Sequence, residues 1–263
     1  MENTKPRRLL TEERRREILA ALGQQGRVTI DEIVRRFGVS AVTARSDLNA
    51  LSQDGALVRS HGGGVRPLTA VPEHSLHARD RIRHAEKMRI AEAAVHLIQP
   101  GQTVILCSGT TSLALARLLR QRCPDNLTVI AYTLNVAMQL ADLPGLSLIM
   151  LGGFLRQVSG ALVGPQAESM MQSLHADHCF LSTVGLDAQV GLTTIDIMEA
   201  QLNRCMIDNS AQTSVIADST KFGHRSLSVI TKMNAVRRVI TDTEAPAGDV
   251  ERLRTNGVEV VLA

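Results

Sequence analysis

The stretch TVILCSGTTSLALARLL, residues 103–119, decides the class of fold. An apolar run typical of a buried strand ends at the small, hydroxyl-rich turn Ser108-Gly109-Thr110-Thr111, and leucines at helical spacing follow it. Free backbone N–H groups and the helix dipole both favour an anion at such a turn. The stretch therefore predicts a strand, an anion-binding turn and a helix, in that order.

Similar apolar runs recur from residue 87 to the end of the chain. They read TVILC, LTVIAY, LSLIML, HCFLSTV, TSVIAD, RVITD and VEVVLA, and amphipathic helices are predicted between most of them. This alternation is typical of a largely parallel sheet with helices on both faces. Because ligands of such folds bind beyond the carboxyl ends of the strands, we expect the chemistry there.

Polar or small residues follow four of these predicted strands. Besides residues 108–111 they are Thr133, Asn135, Gly152, Gly153, Asp218 and Lys221. A phosphate-binding turn, an ammonium group, and amide and carboxylate groups for hydroxyls together outline a site for a polyol phosphate. A tight strand-to-helix connection and a surface pair between Asp218 and Lys221 would explain the same residues without a ligand.

Length and composition indicate one large domain with a small appendage, because the chain has 263 residues and is 44% hydrophobic. We expect a cytoplasmic protein, since the N-terminus has no apolar signal segment and no apolar run is long enough to span a bilayer. The cysteines and histidines have no metal-ligand spacing, so we predict buried free thiols, no metal site and no cofactor. The cysteines are Cys107, Cys123, Cys179 and Cys205.

Positive charge is concentrated in the first quarter of the chain. Residues 1–66 contain 12 Lys and Arg against 8 Asp and Glu, whereas the remainder contains 17 against 18. Eleven of the twelve are arginines, whose planar and permanently charged side chain suits phosphates and base edges. A solvated basic face would give the same count, so a scaffold is needed before the charge indicates DNA.

That scaffold is predicted as three helices. The first covers TEERRREILAALGQQG and ends at Gly23 or Gly26, the second begins at a Thr29–Glu32 capping box, and Ser40 caps the third. The third helix turns Ala44, Leu48 and Leu51 inward, with Ala41 beside them. Its opposite face carries Val42, Arg45, Ser46, Asn49 and Gln53, with Thr43 on the flank.

After the third helix, ALVRSHGGGVRP predicts two short strands around a glycine turn, from which Arg59, His61 and Arg66 project. Three helices followed by this basic wing predict a winged helix-turn-helix, with a small protein-binding helical module as the alternative. We predict DNA contacts from Ser40, Val42, Thr43, Arg45, Ser46, Asn49, Arg59 and His61.

The segment VSAVTARSDLNALSQDGALVRSHGGGV, residues 39–65, resembles the DNA-binding signature of the DeoR/GlpR family of bacterial transcriptional regulators. Ser46 stands where that family usually has a second basic residue. LVGPQA, GLTTID and ADSTKFGHRSL are similar to the sensor domain of the same family, so the resemblance covers nearly the whole chain.

The resemblance implies a sensor domain that is similar to ribose-5-phosphate isomerase and glucosamine-6-phosphate deaminase and binds phosphorylated sugars. Residues 108–111 would then hold the phosphate, and Lys221 would support the anionic end. LIQPGQTVIL, EAQLNR and DSTKF resemble regulators of amino-sugar catabolism. Two departures from the family are Cys107, where an acidic residue commonly stands, and a shorter YTLNVA segment.

We therefore expect a winged helix-turn-helix at residues 1–66, a linker at 67–86 that leads into a helix near Arg83, and an α/β sensor domain at 87–263. The expected function is that of a repressor of a sugar-catabolism operon, with an operator duplex and a phosphorylated sugar as partners and a homodimer or homotetramer as the assembly. No catalytic residue is predicted.

Two other functions stay open. One is a sugar-phosphate isomerase or deaminase with a DNA-binding appendage; its candidate bases are Asp187, Asp196, Glu199 and Asp218. In that reading the segment 185–196 is either a lid or a solvated loop. A nucleotide-binding domain is the weaker alternative, because no GxGxxG follows the first strand of the sheet.

Overall fold

A computed structural model describes residues 10–53, 57–60, 62–65 and 76–263. The chain divides into two compact units, Met1–Arg79 and Asp80–Ala263, here called the N-terminal and the C-terminal unit. The division falls inside the predicted linker. His61, Arg66 and most of the linker lie outside the described residues, as do the side chains of Gln53 and His77.

The N-terminal unit contains three helices and a small antiparallel sheet. Its elements are α1 (Thr11–Gln25), β1 (Arg27–Thr29), α2 (Ile30–Phe37), α3 (Ala41–Gln53), β2 (Val58–Ser60) and β3 (Gly63–Val65), with the strands in the order β1-β3-β2. The three predicted helices and the wing strands are confirmed, and α1 ends at Gly26. Strand β1 was not predicted, because three residues are too few to show an alternating pattern.

Local sequence signals explain the helix boundaries of this unit. Thr29 and Glu32 form the predicted reciprocal capping box at the start of α2. Ala44 and Leu48 of α3 are fully buried and pack with Ile18 of α1 and Ile33 of α2. Ala41 was predicted beside the inward face but is exposed, since it lies in the first turn, beyond the reach of the other helices.

A short helix spans the boundary between the two units, and a second helix and the first half of the main sheet follow it. These elements are α4 (Leu76–Arg81), α5 (His84–Val95), β4 (Thr103–Leu106), α6 (Thr110–Gln121), β5 (Thr128–Ala131), α7 (Leu134–Leu140), β6 (Ser147–Met150), β7 (Phe154–Arg156), β8 (Ala161–Val163) and α8 (Pro165–Gln172). Helix α4 lies within the predicted linker and was not foreseen, whereas the helix expected near Arg83 is α5.

The second half of the unit completes the sheet. Its elements are β9 (Ala176–Leu181), β10 (Gly185–Asp187), β11 (Gly191–Thr194), α9 (Ile197–Asp208), β12 (Ser210–Ile216), β13 (Ser228–Thr231), β14 (Arg238–Thr241), α10 (Ala247–Thr255) and β15 (Glu259–Leu262), with one-turn 3-10 helices at Ser219–Lys221 and Met233–Ala235.

Seven parallel strands form the main sheet in the order β15-β14-β12-β9-β4-β5-β6. They are the seven strands that the apolar runs predict. Successive residues of one strand enter opposite cores: Ile105 packs on one face, while Val104 and Leu106 pack on the other. The predicted α/β class with helices on both faces is therefore confirmed.

The segment 185–196 is neither a lid nor a solvated loop, so this expectation is wrong. Strands β10 and β11 form an antiparallel hairpin that is joined by β13 into a three-stranded sheet. All four residues of β11 are buried. The expectation failed because glycine and threonine are common in loops, whereas the burial of these residues depends on packing against residues that are distant in sequence.

Candidate functional site

The outward face of α3 presents the predicted DNA-contacting side chains. Arg45, Ser46 and Asn49 are exposed, and Val42 is 73% exposed. Thr43 is half-buried on the flank. This face combines a permanent cation, an amide, a hydroxyl and a methyl-bearing side chain, which match the acceptors, donors and thymine methyls of a major groove.

Three of the predicted DNA contacts, Ser40, Thr43 and Arg59, also have side-chain partners inside the protein; the hydroxyls of Ser40 and Thr43 are 2.9 Å apart. Ser40 Oγ accepts the Thr43 N–H at 3.1 Å and so caps α3. The guanidinium of Arg59, predicted to project from the wing, instead donates to the Gly63 carbonyl oxygen at 2.8 Å and is half-buried. Arg59 therefore links β2 to β3.

A buried ion pair fixes α3 to α1, and sequence reasoning missed it. Asp47 is 1% exposed and accepts from Arg14 Nε at 2.6 Å and from Arg15 Nε at 3.1 Å. Two arginines of the basic first quarter are thus committed to the interior. The available signal was a lone aspartate beside the inward-facing Leu48.

In the C-terminal unit, the order of the strands reverses between β4 and β9. From β4 the chain proceeds to β5 and β6 on one side, and from β9 to β12, β14 and β15 on the other. The connections after β4 and β9 therefore diverge and leave a crevice at their carboxyl ends. The predicted turn at residues 108–111 lies at this switch point.

The first turn of α6 is buried and has no side-chain cap. Thr110, Thr111 and Ser112 are at most 8% exposed, and the residue before them, Gly109, has no side chain to accept their N–H groups. Within the described part of the chain, the N–H groups of Thr110 and Thr111 make no hydrogen bond. Buried donors of this kind at the positive end of a helix dipole favour an anion.

Position 109 requires glycine for two reasons, its backbone conformation and the lack of space for a Cβ. Its φ is +123°, and a Cβ there would lie 2.8 Å from Ser182 Cβ in the connection after β9. Ser182 Oγ in turn lies 3.0 Å from Ser112 Oγ. Sequence reasoning missed Ser182, although it follows the predicted strand HCFLSTV and lies at the switch point.

The N–H of Ser108 is not free for a phosphate, unlike those of Thr110 and Thr111. It donates to the Tyr132 hydroxyl at 3.0 Å, and that hydroxyl donates to Asn203 Oδ1 at 2.9 Å. Tyr132 is fully buried, and burial raises the pKa of its hydroxyl well above the ordinary value. Tyr132 and Asn203 therefore hold the turn in place, a role that no local sequence signal indicated.

Thr133 supplies an unpartnered hydroxyl beside the turn. The residue follows β5, the neighbour of β4, and is 2% exposed. Its Oγ1 has no hydrogen-bond partner among the described residues. Asn135, in contrast, directs its amide to the Ser159 carbonyl oxygen at 3.5 Å. Buried hydroxyls are normally paired, so the Thr133 hydroxyl is available to a ligand.

Packing accounts for one of the two glycines predicted at the site. Gly153 has a φ of +125°, and a Cβ there would lie 2.5 Å from the Val163 carbonyl oxygen of β8. It thus permits the close approach of the β7–β8 hairpin. Gly152 is exposed and has no such contact. Both follow β6, two strands away from β4.

Asp218 and Lys221 follow β12, two strands away from β4 on the opposite side. The Asp218 carboxylate is 2% exposed and accepts from the Thr220 N–H at 3.0 Å and from the Thr220 hydroxyl. It therefore caps the 3-10 turn through Oδ1, which accepts both of these hydrogen bonds. The Lys221 ammonium is half-buried and makes no hydrogen bond or ion pair with any described residue.

Comparison with known proteins agrees with both units. A model described as "DeoR-like helix-turn-helix domain" matches residues 14–69, and one described as "DeoR C terminal sensor domain" matches residues 82–243. The chain belongs to the DeoR family of transcriptional regulators. The resemblance seen in the sequence is confirmed.

Individual relatives of this DeoR-family protein are similar over almost their whole length. A protein of Escherichia coli O157:H7, named for repression of the aga operon, is 40% identical over 256 residues, covering 96% of this chain and 94% of its own. The glycerol-3-phosphate regulon repressor of Escherichia coli K12 is 30% identical over 250 residues, covering 95% and 98%. Ribose 5-phosphate isomerase of Methanocaldococcus jannaschii matches 52% of this chain and 53% of its own, with 16% identity and a TM-score of 0.39.

The carboxylates that an enzyme would use as bases are engaged in this DeoR-family protein. Asp196 caps α9 through the Glu199 N–H and pairs with Arg156 at 3.2 Å. Glu199 is 5% exposed and accepts from the Ser159 hydroxyl at 2.6 Å. Asp187 accepts from the Val190 N–H and from Arg225, which hold its pKa at about 2.

The four cysteines of the regulator are free thiols, as predicted, but only two are buried. Cys107 and Cys179 lie on adjacent strands with their sulfurs 3.7 Å apart, and burial raises the pKa of the Cys107 thiol well above its ordinary value. Cys123 and Cys205 are half-buried. A buried protonated thiol at position 107 packs as an apolar residue behind the turn.

Residues 10–53, 57–60, 62–65 and 76–263 contain no candidate metal cluster and no candidate membrane-spanning helix. No three His, Cys, Asp or Glu side chains among these residues come together as a metal site would require. No helix in the same ranges combines the length and the apolar character that a membrane crossing needs.

Proposed function

We propose that this protein is a cytoplasmic repressor of a sugar-catabolism operon, and that a phosphorylated sugar bound at the start of α6 releases it from its operator. The observation that carries the proposal is the buried, uncapped first turn of α6 beside the unpartnered Thr133 hydroxyl. Two N–H donors and a hydroxyl suit a phosphate, since phosphate oxygens accept several hydrogen bonds at once.

Lys221 supports an anionic ligand that is longer than phosphate alone. Its loop lies two strands from the α6 turn, which is about 10 Å. A sugar phosphate is of that length, so its charged and hydroxyl-bearing ends can reach both places. The names of two relatives, an aga operon repressor and a glycerol-3-phosphate regulon repressor, agree with a metabolite of this chemical class.

We infer that the site binds its ligand without converting it. A general base for isomerisation needs a carboxylate that is free to take a proton. Asp187, Asp196, Glu199 and Asp218 all accept hydrogen bonds from protein groups instead. Steady turnover of a sugar phosphate by the purified protein would favour the isomerase or deaminase alternative.

We further propose that the assembly is a homodimer or homotetramer whose contact is an apolar surface around the β7–β8 hairpin, here called the hairpin patch. Its members are Leu134, Met138, Phe154, Leu155, Val158, Ile197 and Met198, each between 41% and 74% exposed. The Leu134 N–H bonds to the Gly160 carbonyl oxygen, and Arg156 bonds to Asp196, so α7, the hairpin and α9 adjoin one another.

A second copy of the chain is the occupant that fits the hairpin patch. The patch brings seven exposed apolar side chains together, whereas apolar residues on the surface of a monomer are normally scattered singly. A stable interface buries about 800 Å² on each partner, and a second copy that presents the same patch would cover these side chains. Phe154→Glu with Met138→Glu should give a monomer in light scattering, whereas Leu227→Glu, at a 77% exposed site outside the patch, should not. A wild-type monomer on DNA would contradict the proposal.

The effector proposal is tested with two matched hydroxyl deletions. Thr133→Val removes the buried hydroxyl beside α6, and Thr241→Val removes the other buried threonine hydroxyl without a partner among the described residues, at the end of β14. Both should raise the free energy of unfolding by about 1 kcal/mol, because an unsatisfied buried group is lost. Only Thr133→Val should weaken the sugar phosphate, by about five- to tenfold.

The measurement is a titration of the protein–operator complex with glycerol 3-phosphate, ribose 5-phosphate, glucose 6-phosphate and glucosamine 6-phosphate. Release of operator by one of these compounds, with a weakened response in Thr133→Val, supports the proposal. An equal response of Thr133→Val and Thr241→Val would contradict the placement of the site. The absence of release by any sugar phosphate would contradict the effector class.

A further inference from the structure

Two ion pairs join the first residues of the C-terminal unit to α6 and to Asp242, whose carboxylate also bonds the loop of Lys221. These residues are the end of α4, the turn at Ile82 and Arg83, and the start of α5. The chain runs through this segment on its way from the DNA-binding unit to the sheet. The contacts that fix this segment therefore link the effector site to the part of the chain that leads to the DNA-binding unit.

The first pair attaches α4 to α6. Arg117 Nη1 donates to Asp80 Oδ1 at 3.1 Å, and Arg117 Nη2 donates to Asp80 Oδ2 at 2.8 Å. The two side chains are 33% and 21% exposed. This bidentate geometry fixes the orientation of both partners as well as their distance. Arg117 lies two turns beyond Thr110 on the same helix, so a movement of the α6 start moves the clamp.

The second pair attaches the turn before α5 to the loop of Lys221. Arg83 Nη2 donates to Asp242 Oδ1 at 3.2 Å, and Asp242 is fully buried. The other oxygen, Oδ2, accepts the Ser219 N–H at 2.7 Å, two residues before Lys221. One carboxylate thus bonds both the interdomain turn and the loop that carries the proposed ligand cation.

The backbone at Arg83 adds to this connection. Its φ of +52° lies in the left-handed region, which an arginine adopts only when its surroundings hold it there. The holding groups are Asp242, Glu244 at 2.9 Å, and Lys87, whose ammonium donates to the Ile82 carbonyl oxygen at 2.7 Å. Release of these contacts would let the turn relax and change the direction in which α4 leaves the sheet.

We propose that the Asp80–Arg117 and Arg83–Asp242 pairs form an interdomain clamp, which transmits occupancy of the effector site to the DNA-binding unit. The ligand binds to the start of α6 and to the Lys221 loop. Each of these is joined to residues 80–83 by one of the two ion pairs. The clamp rests on the proposed function for its ligand, but its mechanical part exists in the ligand-free protein and is testable there.

The test uses the full-length protein and a matched pair of variants on α6. Arg117→Ala breaks the clamp, whereas Arg120→Ala breaks a second bidentate pair on the same helix, to Asp142, with 2.9 Å between Nη2 and Oδ2. Arg120 is 44% exposed, close to the 33% of Arg117, and its partner lies just beyond α7. A double variant, Asp80→Arg with Arg117→Asp, restores the pair with its charges exchanged.

The first readout needs no ligand. Amide hydrogen exchange over residues 76–83 should accelerate about tenfold in Arg117→Ala, stay at the wild-type rate in Arg120→Ala, and return toward it in the double variant. Equal rates in Arg117→Ala and Arg120→Ala would overturn the clamp, whatever the effector is.

The second readout is the ratio of operator Kd with and without a saturating sugar phosphate, using the compound of the panel above that shifts the wild-type melting temperature. Arg117→Ala should bind that compound as wild type does, while its ratio falls by at least about fivefold. An undiminished ratio would overturn the clamp. If no compound of the panel shifts wild type, the proposed function fails, and the exchange result alone decides the clamp.

Discussion

Helices α3 and α6 have nearly the same length, 13 and 12 residues, but they begin and are held in opposite ways. Helix α3 is capped by its own Ser40, tied down by the Asp47 ion pair, and exposes one polar face. Helix α6 has no cap and is buried over most of its length. A helix whose own side chain satisfies its first turn is suited to lie along a partner, whereas one with buried free donors is suited to enclose an ion.

Asp47 and His178 are two buried ionisable groups with different surroundings. Asp47 of the N-terminal unit is charged and paired with two arginines. His178 of the C-terminal unit is 3% exposed, stacks on Phe180 and lies 2.8 Å from Ser214 Oγ. Burial, with a smaller effect of Arg238, lowers its pKa to about 4, so it is neutral. Asp47 therefore has two cationic partners, whereas His178 is buried with a hydroxyl and an aromatic ring as its neighbours.

The largest expected effect is the loss of the buried pair. Asp47→Ala leaves Arg14 and Arg15 without their carboxylate and should lower the free energy of unfolding of the N-terminal unit by about 3–5 kcal/mol. Glu17→Ala, which breaks an exposed pair with Arg36, should cost at most about 1 kcal/mol. Thermal unfolding followed by circular dichroism checks both, and equal losses would mean that Asp47 is not a structural centre of this unit.

Lower pH should decrease the stability of the C-terminal unit through His178. Between pH 6.5 and about 4 an unfolded His178 binds a proton that the folded one does not. The free energy of unfolding therefore falls as the pH falls through this window, by about 3 kcal/mol in total, and is independent of this group above it. His178→Gln should remove that part of the pH dependence, whereas His96→Gln, at a 69% exposed side chain, should not. Identical pH profiles would contradict a neutral buried histidine.

The exposed face of α3 should matter for DNA and for nothing else. Arg45→Ala removes one bidentate contact and should weaken operator binding by about 1–3 kcal/mol without changing thermal stability. Arg252→Ala deletes the same charge from an exposed site on α10 and is the control. Fluorescence anisotropy with operator and random duplexes gives the measurement. Unchanged preference for operator in Arg45→Ala would place the recognition surface elsewhere.

The smallest expected effect is at the cap of α3. Ser40→Ala removes the acceptor of the Thr43 N–H and should lower the free energy of unfolding of the N-terminal unit by about 1 kcal/mol. Ser52→Ala, later on the same helix, should have less effect. A Ser40→Ala protein as stable as wild type would remove the contrast between the two helix starts.

The sequence by itself determined the parts that depend on local rules. Apolar runs of five to seven residues located all seven strands of the main sheet, and capping residues located the start of α2 and α3. The outward face of α3 followed from helical periodicity alone. The position of the switch-point turn also followed, because the carboxyl ends of parallel strands share one edge of a sheet.

Only the tertiary structure decided which of the polar groups at that edge are free. Ser108 and Asp218 had the right residue types, but the Ser108 N–H is taken by Tyr132, and one carboxylate oxygen of Asp218 is taken by Thr220. The hydroxyl of Thr133 lacks a partner among the described residues. Hydrogen bonds between residues tens of positions apart, as between Tyr132 and Asn203, leave no trace in local sequence, because they depend on which strands become neighbours.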